Sequence, residues 1–200
     1  MTIPHVALVS ETTAVSLADL VQVAAAIQKQ VSRDLQPLWN IQATVDAFDS
    51  VNHVPLDYWH VIIRDDIDAL GQSGFHKTEM HQPFALVQFD DDWSITTSHE
   101  VLEMLADPSG NWFVAGDSVK TGQGRVNYLV EICDPVQQSI YTINDVRVCD
   151  FFTPQYFDPA FTSGARYSFS GNLKSPRGLL KGGYLAFFDP VCRLWCQLQW

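Results

Sequence analysis

Apolar positions recur along this chain with two different periods, and the switches between them outline a succession of strands and helices. The run His5-Val6-Ala7-Leu8-Val9 predicts a first strand. From Ser16 the period lengthens: Leu17, Leu20, Val21, Ala24, Ile27 and Val31 fall at helical spacing behind a Ser16/Asp19 capping-box start. That helix is expected to end before Pro37, burying Leu20, Ala24, Ile27 and Val31 and turning Gln28, Lys29 and Arg33 to water. Leu38 and Trp39 pack at its exit. Residues 41–48 alternate as a strand, 51–55 turn, and 58–63 form the best β run of this half. Gly71 and Gly74 read as a loop, and residues 84–89, introduced by Pro83, as an edge strand.

Asp90, Asp91 and Asp92 lack the spaced ligands and the Gly of a calcium loop, so they are expected to form a solvated turn. Residues 97–108 return to helical character, and Asp107-Pro108-Ser109-Gly110 breaks it. Gly116, Gly122 and Gly124 give residues 111–124 the character of a flap. A strand over 126–132 and a tight hairpin over Asn144-Asp145 within 141–148 follow. Beyond two aromatic loops at 151–154 and 156–159, strands are expected at 166–170, 184–188 and 193–199, the last two joined around Asp189-Pro190. No repeat or linker divides the chain. The expectation is one domain over 1–200, with an N-terminal half at 1–110 and a β-rich part at 111–200 sharing its core.

Hydrophobic residues at 46%, with six Trp, twelve Phe and six Tyr, place the sequence among globular proteins. The net charge of −11 opposes binding to nucleic acid or to an anionic membrane and favours a cationic partner or bound cations. The first residues lack the basic and apolar stretches of a signal peptide, so a cytoplasmic location is expected, with export as the alternative if a leader has been trimmed. Of the cysteines, 133, 149, 192 and 196, the pair Cys192 and Cys196 lacks the Cys-x-x-Cys spacing of metal or redox motifs, so free buried thiols are expected; a disulfide belongs to the export alternative.

Chemistry concentrates in 97–108. On a helix, His99 and Glu103 stand one turn apart on one face, near enough to hold one ion, with Glu100 at the edge of that face. Downstream, Glu131 and Asp134 flank Cys133. Were 131–134 a strand, Glu131 and Cys133 would share a face and Asp134 would fall on the other or in the turn made by Pro135. A competing reading makes Thr97-x-x-Glu100 a capping box and the His99/Glu103 pair a simple polar face. His53, His60, His76 and His81 read as structural, although His76 and His81 lie on the approach to the expected edge strand and a cleft beside it. No nucleophile elbow and no phosphate-binding glycine loop occurs.

His99-Glu100-x-x-Glu103, closed by Asp107-Pro108 and followed by Glu131-x-x-Asp134, resembles a variant of the zincin metallopeptidases in which Glu103 stands where the second motif His would be. The resemblance covers roughly residues 5–134. It implies an α+β fold: a zincin-like mixed sheet with an N-terminal helix and a motif helix, followed by a β-rich C-terminal part. It further implies metal ligation by His99, Glu103 and a later acid, Glu131 being favoured with Asp134 as an outer partner, and Glu100 as the catalytic base. The implied cofactor is Zn²⁺, with Mn²⁺ or Ca²⁺ as alternatives because the ligands are rich in carboxylate. The implied function is a metal-dependent hydrolase acting on a peptide or protein substrate bound along the edge strand. The alternative is a catalytically degenerate scaffold that holds a structural cation or a protein partner, with the aromatic loops between Phe151 and Phe161 as its surface.

Overall fold

The computed structural model describes residues 3–200. β1 (His5–Ser10) lies between two parallel neighbours, β2 (Thr44–Phe48) and β3 (Tyr58–Arg64), and a strand paired on both sides and covered on both faces needs an unbroken apolar run. Val6, Ala7, Leu8 and Val9 supply it, all at 1% exposure or less. β5 (Gln82–Gln88) continues the parallel set beside β3, and β4 (Gly74–Glu79) closes the sheet as an antiparallel edge, giving the order β2-β1-β3-β5-β4.

The edge strand is therefore 74–79 and not 84–89. Pro83 sits opposite Thr78 on β4, just before pairing with β3 begins at Phe84, so its missing N–H removes no bond from the parallel ladder. The stretch that reads as a loop after Gly71 becomes a strand because it folds back on β5 through Met80 and His81, both at positive φ.

α1 (Leu17–Lys29) opens on the Ser16/Asp19 capping box and buries Leu20, Val23, Ala24 and Ile27. Val21, despite its spacing, is 50% exposed. Gln28 also departs from the expected solvent role: its amide accepts from Val45 N and donates to Ala43 O, tying the helix to the start of β2. The helix does not end before Pro37. It widens into a π-helical stretch at Gln30–Leu35 and continues as α2 (Gln36–Trp39), stopping where Asn40 turns left-handed. The wide turn shifts the hydrogen-bond ladder at the point where Pro37 has no N–H to contribute.

α3 (Trp93–Ala106) starts four residues earlier than the sequence suggests and lies against β3, β4 and β5 of the sheet on one side and β9 (Val146–Cys149) on the other. This double cover explains why it buries Thr97, Ser98, Glu100 and Glu103 along with Val101, Leu102 and Met104. The expected strand at 126–132 is shorter, β7 (Arg125–Leu129), and pairs with β6 (Phe113–Asp117), so 111–124 is mainly hairpin rather than flap. β8 (Ile140–Ile143) and β9 form the expected hairpin, with Asn144 and Asp145 at positive φ. β10 (Tyr184–Asp189) and β11 (Leu194–Gln199) complete an antiparallel sheet of order β11-β10-β7-β6.

No strand forms at 166–170, where one isolated bridge joins Phe152 to Ser168. Phe151, Phe152 and Tyr156 are fully buried, Phe152 and Tyr156 stacking at 4.2 Å, so this part of the expected 151–161 surface is core, while Phe161 is 64% exposed. The main apolar core runs continuously from Val6 on β1 to Phe187 on β10. The fold is thus mixed α+β, with a mixed sheet behind an N-terminal helix and a β-rich remainder. No described helix is long and apolar enough to cross a membrane.

Candidate metal centre

α3 brings three of the singled-out side chains to one place. Its helix start lies at Asp92, with Ile95 N and Thr96 N donating to Asp92 O, while Thr97 Oγ1 donates back to Trp93 O. Thr97 and Glu100 are therefore mid-helix, and the capping-box reading of Glu100 fails. His99 and Glu103 meet as their spacing requires, with Nε2 3.1 Å from Glu103 Oε2. The other two acids arrive because β7 ends at Leu129: strand alternation no longer holds from 130 on, and Asp134 opens a 3₁₀ turn with Pro135.

Asp134 Oδ1 lies 3.2 Å from His99 Nε2, so His99, Glu103 and Asp134 form one cluster that could hold a metal ion. The structure places Asp134, not Glu131, against His99; Glu131 lies farther along, its Oε2 4.0 Å from His76 Nε2. Glu103 is held in register by the backbone, its Oε1 accepting from Cys133 N at 2.9 Å and Asp134 N at 3.2 Å. On the far side of the imidazole, Cys149 Sγ lies 3.8 Å from His99 Nδ1, and the same thiol donates to Asp150 O at 3.1 Å. Its S–H thus points elsewhere and leaves the sulfur to accept Nδ1–H, which aims Nε2 at the carboxylates, the outer-partner pattern of metal-binding His. Cys133 and Cys149 are free and buried, whereas Cys192 is exposed, contrary to expectation, because it lies in the turn between β10 and β11.

Two side chains of β4 complete the arrangement. Gly74 lacks a Cβ where Glu100 needs room: one built there would stand 2.7 Å from Glu100 Oε1. His76 Nδ1 lies 3.6 Å from Glu100 Oε2, while its Nε2–H donates to Asp107 O at 3.1 Å. A carbonyl only accepts, so Nε2 must carry a proton. His81, by contrast, is exposed at the tip of the β4–β5 hairpin. The phenol of Tyr184, which no sequence signal marks, comes beside Asp134 from β10; burial, and then the charge of Asp134, raise it above its ordinary value. Together these groups line a cleft of about 860 Å³, with Gln197, Gln199 and Trp200 along its C-terminal side.

The electrostatics are those of a site short of positive charge. Burial penalises the His99 imidazolium, but Glu103 and Asp134 outweigh that penalty and hold it well above its usual pKa. Burial likewise opposes ionisation of Glu103, yet the His99 charge prevails and keeps its carboxyl below its ordinary value. Two acids remain uncompensated. Burial, reinforced by the charges of Glu103 and Asp134, pushes Glu131 to about 11; burial and Glu103 push Asp134 to about 7. Glu131 Oε2 is also buried without a hydrogen-bond partner, and Asp134 Oδ1 has no well-aligned one, although it meets His99 Nε2 at 3.2 Å. Buried carboxylate oxygens are rarely left so, and one divalent cation held by Asp134, Glu103 and His99 Nε2 would balance those two carboxylates. The donor set fits such an ion.

No family model matches this chain, and neither a curated protein nor a solved structure matches it.

Proposed function

We propose that this protein is a zincin-like, metal-dependent hydrolase of peptide bonds, with one divalent cation held by His99 Nε2, Glu103 and Asp134 and with Glu131 at its margin. The observation that carries the reading is the convergence of His99, Glu103 and Asp134, whose ligand atoms lie within 4.8 Å of one another on the floor of an open cleft. The chemistry such a cation supplies when bound is Lewis acidity towards water and the substrate carbonyl. Glu100, next to Glu103's face of α3 and lining the same cleft, takes the proton from the attacking water and returns it to the leaving amine. Tyr184 adds a phenol donor for the charge that develops on the carbonyl oxygen. β4 supports the choice of an extended peptide: it pairs only with β5, and its residues Gly74, Phe75 and His76 line the cleft, so its free edge offers a template for strand addition.

Two carboxylates with one imidazole leave a bound dication formally neutral, which makes water less acidic there than at a His-rich site. Hydrolysis is therefore slow, and Mn²⁺ or Ca²⁺ competes with Zn²⁺. Glu100→Gln tests the reading, since it keeps shape and leaves the three ligands in place. Turnover of an unstructured peptide should fall about a hundredfold or more, the scale of a lost general base, with the cation on His99, Glu103 and Asp134 retained. A wild-type protein that cleaves nothing in a broad peptide library supplied with Zn²⁺, Mn²⁺ or Ca²⁺ would overturn it, leaving a cation-binding scaffold.

A further inference from the structure

The floor of the cleft carries ligand groups that the first site does not use. Glu100, Glu103, Glu131 and Asp134 line it together with two imidazoles and no Lys or Arg. The first site takes His99, Glu103 and Asp134, and leaves His76 and Glu100 facing each other without a cation assigned to them.

The geometry provides a place for a second cation. His76, Glu100 and Glu103 each offer one ligand atom, and these atoms lie within 4.8 Å of one another, as do those of His99, Glu103 and Asp134. Glu103 belongs to both groups. His76 carries the mark of a ligand rather than a structural histidine: its side chain is only 5% exposed and Nε2–H is spent on the Asp107 carbonyl. Nδ1 is thereby turned to Glu100 at 3.6 Å, too long for a hydrogen bond. Its strand is pinned to the end of α3 by that bond and by Thr78 Oγ1, which donates to Pro108 O at 2.5 Å, so the imidazole is held in place before any ion arrives. Gly74 keeps the Glu100 carboxylate beside it.

We propose a second divalent-cation site formed by His76 Nδ1, Glu100 and Glu103, adjacent to the first and sharing Glu103 with it. It accepts a first-row dication such as Mn²⁺, because one imidazole and two carboxylates make a mixed, carboxylate-rich donor set. It binds more weakly than the first site, since the shared carboxylate is already engaged there. Filling it takes Glu100 out of use as a base, so peptide turnover, where present, rises with the first equivalent of cation and falls with the second.

The proposal rests on the first site of the reading above but not on catalysis, and its test reads cations. Full-length apoprotein is titrated with Mn²⁺ alone, following free Mn²⁺ by electron paramagnetic resonance. Wild type should bind two equivalents, with a broadened, exchange-coupled signal as the second site fills. His76→Ala and Glu100→Gln should each bind one equivalent with the first affinity retained. If His76→Ala does not fold, Glu100→Gln alone decides. Wild type saturating at one equivalent, or both variants still binding two, overturns the second site. His99→Ala separates the two claims: if it leaves both equivalents unchanged, the first-site assignment fails, while the second stands or falls on His76→Ala.

Discussion

Two aspartates in this protein are buried to a similar degree, Asp134 at 3% exposure and Asp150 at 0%, and they are treated in opposite ways. Asp150 is fully satisfied. Its Oδ1 accepts from Phe151 N at 2.9 Å and Ser170 N at 3.1 Å, and its Oδ2 accepts from Ser139 Oγ at 3.0 Å and from Ser170 Oγ. Those bonds tie the end of the 140–149 hairpin to the irregular 150–183 segment and hold its buried aromatics in place. Asp134 has a carboxylate oxygen without a well-aligned hydrogen-bond partner, faces a cleft, and stands among three other acids. The same chemical group is in one place a structural pin and in the other a group under tension. Burial alone does not separate the two roles; the accounting of donors and charges does.

The comparison breaks most visibly if Asp150 is removed. Asp150→Ala leaves two backbone N–H groups and two hydroxyls without their acceptor, and should lower the unfolding free energy in urea by about 3–5 kcal/mol. A change below roughly 1 kcal/mol would mean that Asp150 is no pin.

Next in size is a dependence on pH in the apoprotein. The folded-state pKa of Asp134, about 7, lies above its unfolded value, and that of His99 is raised well above its own. In both cases the folded state holds the proton more tightly, so their contribution is complete at low pH and is lost as pH rises through the folded pKa. The metal-free melting temperature should fall between about pH 5 and 8 by at least roughly 3 °C, the scale of 1 kcal/mol in a chain of this length. Added cation holds Asp134 ionised and His99 neutral, so it should abolish the fall and bind more tightly as pH rises. A flat apoprotein profile would contradict the charge accounting at the site.

The smallest effect sharpens the contrast. Asp134→Asn removes a repelled charge while keeping shape, and the stability of the apoprotein should move by no more than about 1 kcal/mol. The tightly held cation of the first site should nevertheless be lost. A large destabilisation without metal would make Asp134 another structural group, like Asp150.

The sequence made the strongly periodic parts legible. β1, β3, the buried face of α1 and the Asn144-Asp145 hairpin follow from spacing and turn chemistry, which are local properties. The His99/Glu103 pair was legible for the same reason, being one turn apart on one helix. What was hidden depends on contacts between distant segments. β4 is mostly polar and begins at a glycine, so only its pairing with β5 makes it a strand and the edge of the sheet. Thr97 and Glu100 mimic a helix start, but the helix already begins at Asp92. The choice between Glu131 and Asp134 turned on where β7 stops, and Cys149 and Tyr184 reach the site from β9 and β10 without any spacing that ties them to His99. The end of the first helix is hidden because Pro37 reads locally as a stop, while a π-helical turn accommodates it in the fold.

The central claim is that His99, Glu103 and Asp134 hold a divalent cation. The most direct measurement is the metal content of the purified full-length protein and of His99→Ala, by elemental mass spectrometry after dialysis against metal-free buffer. The wild type should carry at least one equivalent of a divalent metal, and the folded variant should lose that first, tightly held equivalent. A wild-type protein that neither retains nor takes up any divalent metal, or a folded His99→Ala that retains the same equivalent with the same affinity, would contradict it.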